Sequence, residues 1–382
     1  CAQIQPTKEA PLWKRWLGLF LLAAFVSTFL VLEFFSRGAA RIFNYAIERQ
    51  DMLRGVITVE KLLADFTGHV QFENLVWKDP EGHTILQVPQ GSFIVVPWDI
   101  ITGRLSSTTI RTLTLHDAAI SVHLDKDMNV DFVRPSPAVI RAGEYPAEDW
   151  EREISLAGKS EEELKAIGEA QRQRQRIRLE RQLSNFNRAG RRIHLELTLD
   201  KCRVEIFHKE RHYLFNPVRV NAVVDTDGLT QIQATTGGFG GTMVGSGLSM
   251  HGNIDFRVRP VPICDLTMML YEVDPSSLGF GMNLKDRMTL LSHFEGPVSR
   301  PVGRGVIKMK ELHIPALHFT DVVGSIRYED GDLRFDDVSA DVYGGHLLAN
   351  GTYNLDTRYY RIDGQGAGLR SDQALPGSGL AC

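Results

Sequence analysis

The chain has 382 residues, of which 43% are hydrophobic and 24% charged, a balance that excludes a disordered chain. Lys and Arg number 43 against 47 Asp and Glu, so the net charge of −4 gives no general attraction to nucleic acid. Four cysteines with no CxxC pair exclude a disulfide-dense scaffold and a cysteine-rich metal centre.

Residues 1–15 read as a short cytoplasmic tail, with Lys8, Lys14 and Arg15 favouring the inside. Residues 16–36 contain the apolar run Trp16 to Phe35, whose single charge, Glu33, lies close to its end. As a helix it rises about 30 Å, enough to span a bilayer core. A cleaved signal peptide is the competing reading, but the run is long for one and only Ser36-Arg37-Gly38-Ala39-Ala40 offers a cleavage site. A leading Cys1 also suits a lipoprotein, although a second apolar span would then be redundant, so a truncated start is the simpler expectation. Residues 37–55 continue the helical pattern as a linker.

From residue 56 the period changes to two, which predicts strands with one apolar and one polar face. In 56–134, Val70 and Phe72 alternate with polar residues, as do Ile120, Val122 and Leu124. Thr84–Val88 and Ser92–Val96 read as two further strands. Residues 135–192 break the pattern: Ser160-Glu161-Glu162-Glu163 predicts a helix start, and arginines follow toward its end. Such a charged insertion either touches anionic lipid or a partner, or is a solvated helix. Alternation resumes in 193–370 with Ile193, Leu195, Leu197 and Leu199, then Val218, Val220, Ala222 and Val224. Ile326 with Tyr328 and Leu333 with Phe335 repeat it, and 371–382 reads as an unstructured tail. The expected fold is mainly β, an extended antiparallel sheet.

Asp227-Gly228-Leu229 followed by Phe239-Gly240-Gly241 parallels Asp330-Gly331-Asp332-Leu333 followed by Tyr343-Gly344-Gly345, which reads as an internal repeat. The strand Gly68 to Leu75 with its turn to Gly82, the run Phe319 to Val338, and Tyr343 to Leu355 together resemble the AsmA-like superfamily, and within it the TamB-type proteins. The resemblance covers the anchor, 56–133 and 193–370; the charged insertion falls outside it. It implies an inner-membrane anchor and a periplasmic body shaped as a curved β-taco. It also implies transfer or shielding of phospholipid between the two membranes, in support of outer-membrane biogenesis. Members are commonly longer, so the chain reads as a fragment or a short member.

The expected lipid-facing positions are Val70, Phe72, Ile120, Val122, Leu124, Ile193, Leu195, Leu197, Val220, Val224, Ile326, Tyr328, Leu333 and Phe335. Periodicity alone fits a closed core equally well; the resemblance tips the reading to a groove. The implied partners are phospholipid acyl chains, the inner membrane and an outer-membrane assembly protein. No cofactor, metal or nucleic acid is expected, and no enzyme. His208 and His212 would share a helix face but lie on a hairpin, His313 and His318 read as surface residues, and Asp336-Asp337 should point to opposite faces of a strand. The competing class is a structural assembly factor with a sealed β body and no lipid.

Overall fold

A computed structural model describes residues 55–65, 67–102, 108–124, 160–188, 192–208, 210–278, 284, 286–314, 317–355 and 357–370. The expected tail, anchor and linker up to residue 54, and the tail 371–382, lie outside the described residues. No described helix is long and apolar enough to cross a membrane.

The described residues form one large curved sheet of 17 strands. Its first part holds β1 (Val56–Ala64), β2 (His69–Lys78), β3 (Thr84–Val95), β4 (Ile110–His116) and β5 (Ala119–Leu124). The centre holds β6 (His194–His208), β7 (Arg211–Asp225), β8 (Leu229–Thr236), β9 (Phe239–Gly241), β10 (Gly247–Asp255) and β11 (Ile263–Val273). Then come β12 (Met288–Pro297), β13 (Val302–Ile314), β14 (Leu317–Glu329), β15 (Asp332–Val342), β16 (Gly345–Asn354) and β17 (Tyr360–Ala367). Among the described residues two α-helices accompany them, α1 (Pro97–Thr102) and α2 (Glu161–Arg188), with a short 3-10 turn at Pro275–Leu278. The residues expected as two strands, Thr84–Val88 and Ser92–Val96, are one strand, β3, because Pro89 and Gln90 stay in line within it.

Most strands pair antiparallel with the next in sequence. The exception corrects the all-antiparallel expectation: β4 and β5, two collinear halves of one line, both pair parallel with β6. A parallel neighbour needs a crossover connection, because the chain must return to the end where it began. Residues 125–193 supply it, so the charged insertion has a topological role. Ser160 caps α2: its Oγ accepts from the Glu163 N–H at 3.3 Å, and Glu163 Oε2 accepts from the Ser160 N–H at 2.9 Å. This reciprocal box satisfies two of the helix's free donors. Farther along, Arg176 pairs with Asp330 and Ser299 Oγ donates to Glu180 at 3.3 Å, which lays α2 across the turns ending β12 and β14. Ser160→Ala is expected to cost about 1 kcal/mol of local helix stability, read as faster amide exchange over residues 161–166 than in the wild type.

One signature bends the sheet. In Phe72-Glu73-Asn74-Leu75, Leu115-His116-Asp117-Ala118, Leu199-Asp200-Lys201-Cys202 and Phe335-Asp336-Asp337-Val338, two polar residues separate two apolar ones. The second polar residue has a φ of 53°, 52°, 54° and 53° respectively. Asn and Asp tolerate this left-handed region better than most residues. Each site turns both polar side chains outward and restores the apolar residue to the inner face, while local twist increases. Register places the first three side by side, since Gln90 faces His116 and His116 lies beside Asp200. Asp336 and Asp337 are therefore both exposed on the polar face, where strict alternation would have put one inside.

The two units of the expected repeat share an antiparallel meander, but their glycine steps do different work. Asp330-Gly331 and Tyr343-Gly344 are two-residue turns with positive φ at both positions, 51° and 87°, then 49° and 71°. That is the type I′ geometry favoured in hairpins. Phe239-Gly240-Gly241 instead forms strand β9 against Tyr213–Phe215, with Phe239 buried.

The turn between β2 and β3 is held by Asp79, whose carboxylate accepts from the His83 N–H at 2.7 Å and contacts His83 Nδ1 at 2.9 Å. Burial alone would raise its pKa; the bonds from His83 and the nearby imidazole outweigh that and hold it below the ordinary carboxylate value. A depressed carboxyl contributes stability that is present above the unfolded-state pKa and lost as pH falls through the folded one. Asp79→Asn should cost about 1–3 kcal/mol at neutral pH and flatten part of the fall in urea midpoint below about pH 4.

A candidate apolar face

Directly paired residues in a sheet share a face, so register alone decides which side chains lie together. Starting in β1, Leu62 pairs Phe72, Phe72 pairs Gly91, Gly91 pairs Leu115, and Leu115 lies beside Leu199. The row continues through Val220, Ala234, Met250 and Met268. It then crosses Ser292, Gly305, Ile326, Phe335, Gly351 and Ile362. Ser292 is its one polar member. At about 4.8 Å per strand, this row runs roughly 65–70 Å along the sheet.

All fourteen expected positions fall on this face. Phe72, Val220, Ile326 and Phe335 stand in the row itself. Val70 pairs Phe93 beside it, and Tyr328 pairs Leu333. Ile120, Val122 and Leu124 lie beside Val204, Ile206 and His208. Leu197 pairs Ala222 and Leu195 pairs Val224, with Ile193 two residues before Leu195.

Burial along the face is uneven. It is dry from β1 to β4 and where Cys202 of β6 and Val218 of β7 join them: Phe72 is 3% exposed, and Val88 and Cys202 are fully buried within one cluster that also holds Leu115 and Val218. Two smaller dry clusters follow, one around Phe239, Leu270 and Val273, the other around Met309, Phe319, Val322 and Val342. Between them Leu195, Leu197, Ala222, Val224, Ile232, Leu266, Ile326 and Phe335 are only half-buried. Among the described residues no second sheet lies over them. β17 closes the series as a fully exposed strand, with Tyr360 and Ile362 open to solvent.

Several residues of the face escaped the sequence reading. Leu266, Met268 and Leu270 of β11 alternate inward, but Met269 and Tyr271 on the other face hide the pattern. The glycines were equally invisible. A Cβ on Gly91 would stand 2.3 Å from the Phe72 ring, and one on Gly303 would stand 2.8 Å from the Phe294 ring. Each gap admits an aromatic ring from the neighbouring strand.

Cys202 and Cys264 are both buried and unbridged. Four strand steps separate them, about 19 Å along the sheet, beyond the roughly 7 Å that a disulfide permits between Cα atoms. The Cys202 thiol points toward the Leu115 carbonyl at 3.7 Å. Burial pushes both thiols above their ordinary pKa. Both should resist a maleimide reagent at pH 7 in the native state and react fully in guanidinium, as counted by mass.

The opposite face is mostly polar, with Tyr271, Leu291, Val323 and Leu348 as exposed apolar exceptions. His208 lies inward beside Leu124 while His212 stacks outward on Phe207 at 4.5 Å, so their spacing builds no common site. A hollow of about 610 Å³ spans β6, β7, β8 and β10, bordered by Glu196, Thr198, Asn221, Gln231, Gln233, His251 and Asn253. By register these side chains stand on the outer side, while Leu197, Ala222, Ile232 and Gly252, which line the same hollow, belong to the inward-facing set. A second hollow of about 400 Å³ lies over the bulges at Asn74 and Asp117.

No protein-family model, curated protein or solved structure matches the chain.

Proposed function

We propose that the chain is a membrane-anchored envelope protein that holds phospholipid acyl chains against its apolar face and passes or shields them between inner and outer membrane. The observation that carries this reading is the row from Leu62 to Ile362, apolar but for Ser292 and left half-buried over β6–β8 and β14–β15. A sixteen-carbon chain exposed to water costs on the order of 13 kcal/mol at about 0.8 kcal/mol per CH₂. A continuous apolar trough removes most of that cost and requires no nucleophile, base or metal. In this reading the anchor at 16–36 tethers the body to the inner membrane with residues 1–15 inside, the body is periplasmic, and the sheet forms the curved groove. Support of outer-membrane biogenesis would follow from lipid supply.

A second reading has its own observation. The larger hollow carries four amide side chains, Asn221, Gln231, Gln233 and Asn253, among its lining residues, groups suited to a polypeptide backbone, which favours a scaffold for outer-membrane assembly without lipid.

Native mass spectrometry of residues 55–370 made in a phospholipid-containing host separates the two. Bound phospholipid is expected on the wild type and lost when Leu195 and Leu197 are both changed to Asp, with circular dichroism unchanged. A clean apo mass from the folded wild type would sink the lipid reading.

A further inference from the structure

The hairpin of β13 and β14 ends in a cluster unrelated to the apolar face. His313 and His318 are direct register partners, and their rings stack with centroids 4.2 Å apart and planes 12° apart. Glu311, two residues before His313, projects from the same side of β13. One ligating atom from each of Glu311, His313 and His318 lies within 4.8 Å of the other two. Asp286, just before β12, binds this cluster from the side. Its Oδ2 accepts the His313 N–H at 2.6 Å, and its Oδ1 lies 2.9 Å from His313 Nδ1. The pairing of β12 with β13 stops at Met288 and Met309, so the carboxylate stands in for the next backbone acceptor.

This arrangement has the parts of a metal centre. A carboxylate on one imidazole nitrogen fixes the tautomer and leaves the other nitrogen's lone pair free, the usual outer shell of a metal-bound histidine. We propose that Glu311, His313 and His318 bind one zinc ion, with Asp286 as the positioning carboxylate on His313 and water completing the fourth position. Two imidazole nitrogens and one carboxylate oxygen suit a borderline cation such as zinc and disfavour calcium or magnesium, which take oxygen ligands. A tetrahedral site with bonds of about 2.0–2.1 Å draws its ligands closer than 4.8 Å. All three side chains are exposed, and the two stacked imidazoles would have to turn out of their near-parallel planes to share one ion. The bound ion would clamp the tip of the β13–β14 hairpin to the segment leading into β12.

Titrating zinc chloride into the 382-residue chain in mild detergent, by calorimetry, tests the site. One equivalent is expected, and His318→Ala removes it. Glu311→Gln, which keeps the side-chain shape, weakens it, and Asp286→Asn weakens it about 10- to 100-fold. His212→Ala, on the separate stack with Phe207, leaves it unchanged. Cobalt(II) should give a visible tetrahedral absorption band in the wild type that His318→Ala abolishes. Far-UV circular dichroism and the metal-free melting temperature of each variant separate lost binding from lost folding. No uptake by the wild type, or equal uptake after both His318→Ala and Glu311→Gln, would overturn the proposal.

Discussion

Phe72→Ala is expected to destabilise the sheet by about 3–5 kcal/mol, the range for truncating a buried phenylalanine. The ring is 3% exposed and sits 5.9 Å from that of Phe93. It also fills the space that Gly91 leaves on the neighbouring strand. Collapse around the cavity is hindered because β2 is hydrogen-bonded on both sides, to β1 and to β3. Urea unfolding of residues 55–370 should show a lower midpoint with an unchanged slope. Tyr360→Ala on the exposed edge strand should change the midpoint hardly at all. Equal losses at both positions would mean that the β1–β7 cluster is not the stabilising core.

Gly252→Ala is the second large effect. Gly252 lies inside β10 with φ +146°, and a Cβ there would stand 2.1 Å from the Asp265 carbonyl oxygen and 2.8 Å from Leu266 Cα. Both obstacles are backbone of β11, so no side-chain rotation relieves them. A strained φ costs of order 1–3 kcal/mol, and overpacking typically adds another 1–3 kcal/mol. The pairing of β10 with β11 should open, seen as faster amide exchange in Leu266–Leu270. Gly240→Ala, where a Cβ meets nothing within 4 Å, is the matched control and should be tolerated. Similar exchange in both variants would show that the close approach of β10 to β11 is not as described.

The alternation in Ile120 to Leu124 and in Ile193 to Leu199 was legible because a strand's two faces repeat every second residue, whatever its neighbours do. For the same reason the start of α2 was readable: Ser160 and Glu163 interact within one turn. The bulges were only half visible. Phe72-Glu73-Asn74-Leu75 shows a skipped step, but that Asn74 takes a left-handed φ and sends both polar residues outward depends on the strand beside it. The Asp336-Asp337 expectation failed at such a site. Met269 and Tyr271 hid the inward residues of β11 because a large apolar residue on the outer face is indistinguishable in sequence from one on the inner face.

By itself the sequence determined the mainly β class, the polar and apolar sides of most strands, and the position of the helical interruption. These depend on local periodicity and on capping within a few residues. Only the tertiary structure decided that β4 and β5 lie parallel to β6. It alone joined Leu62 to Ile362 in one row and brought Asp286 onto His313 across 27 residues. Those are matters of register between distant segments, set by hydrogen-bond pairing across the sheet, and no local pattern encodes them.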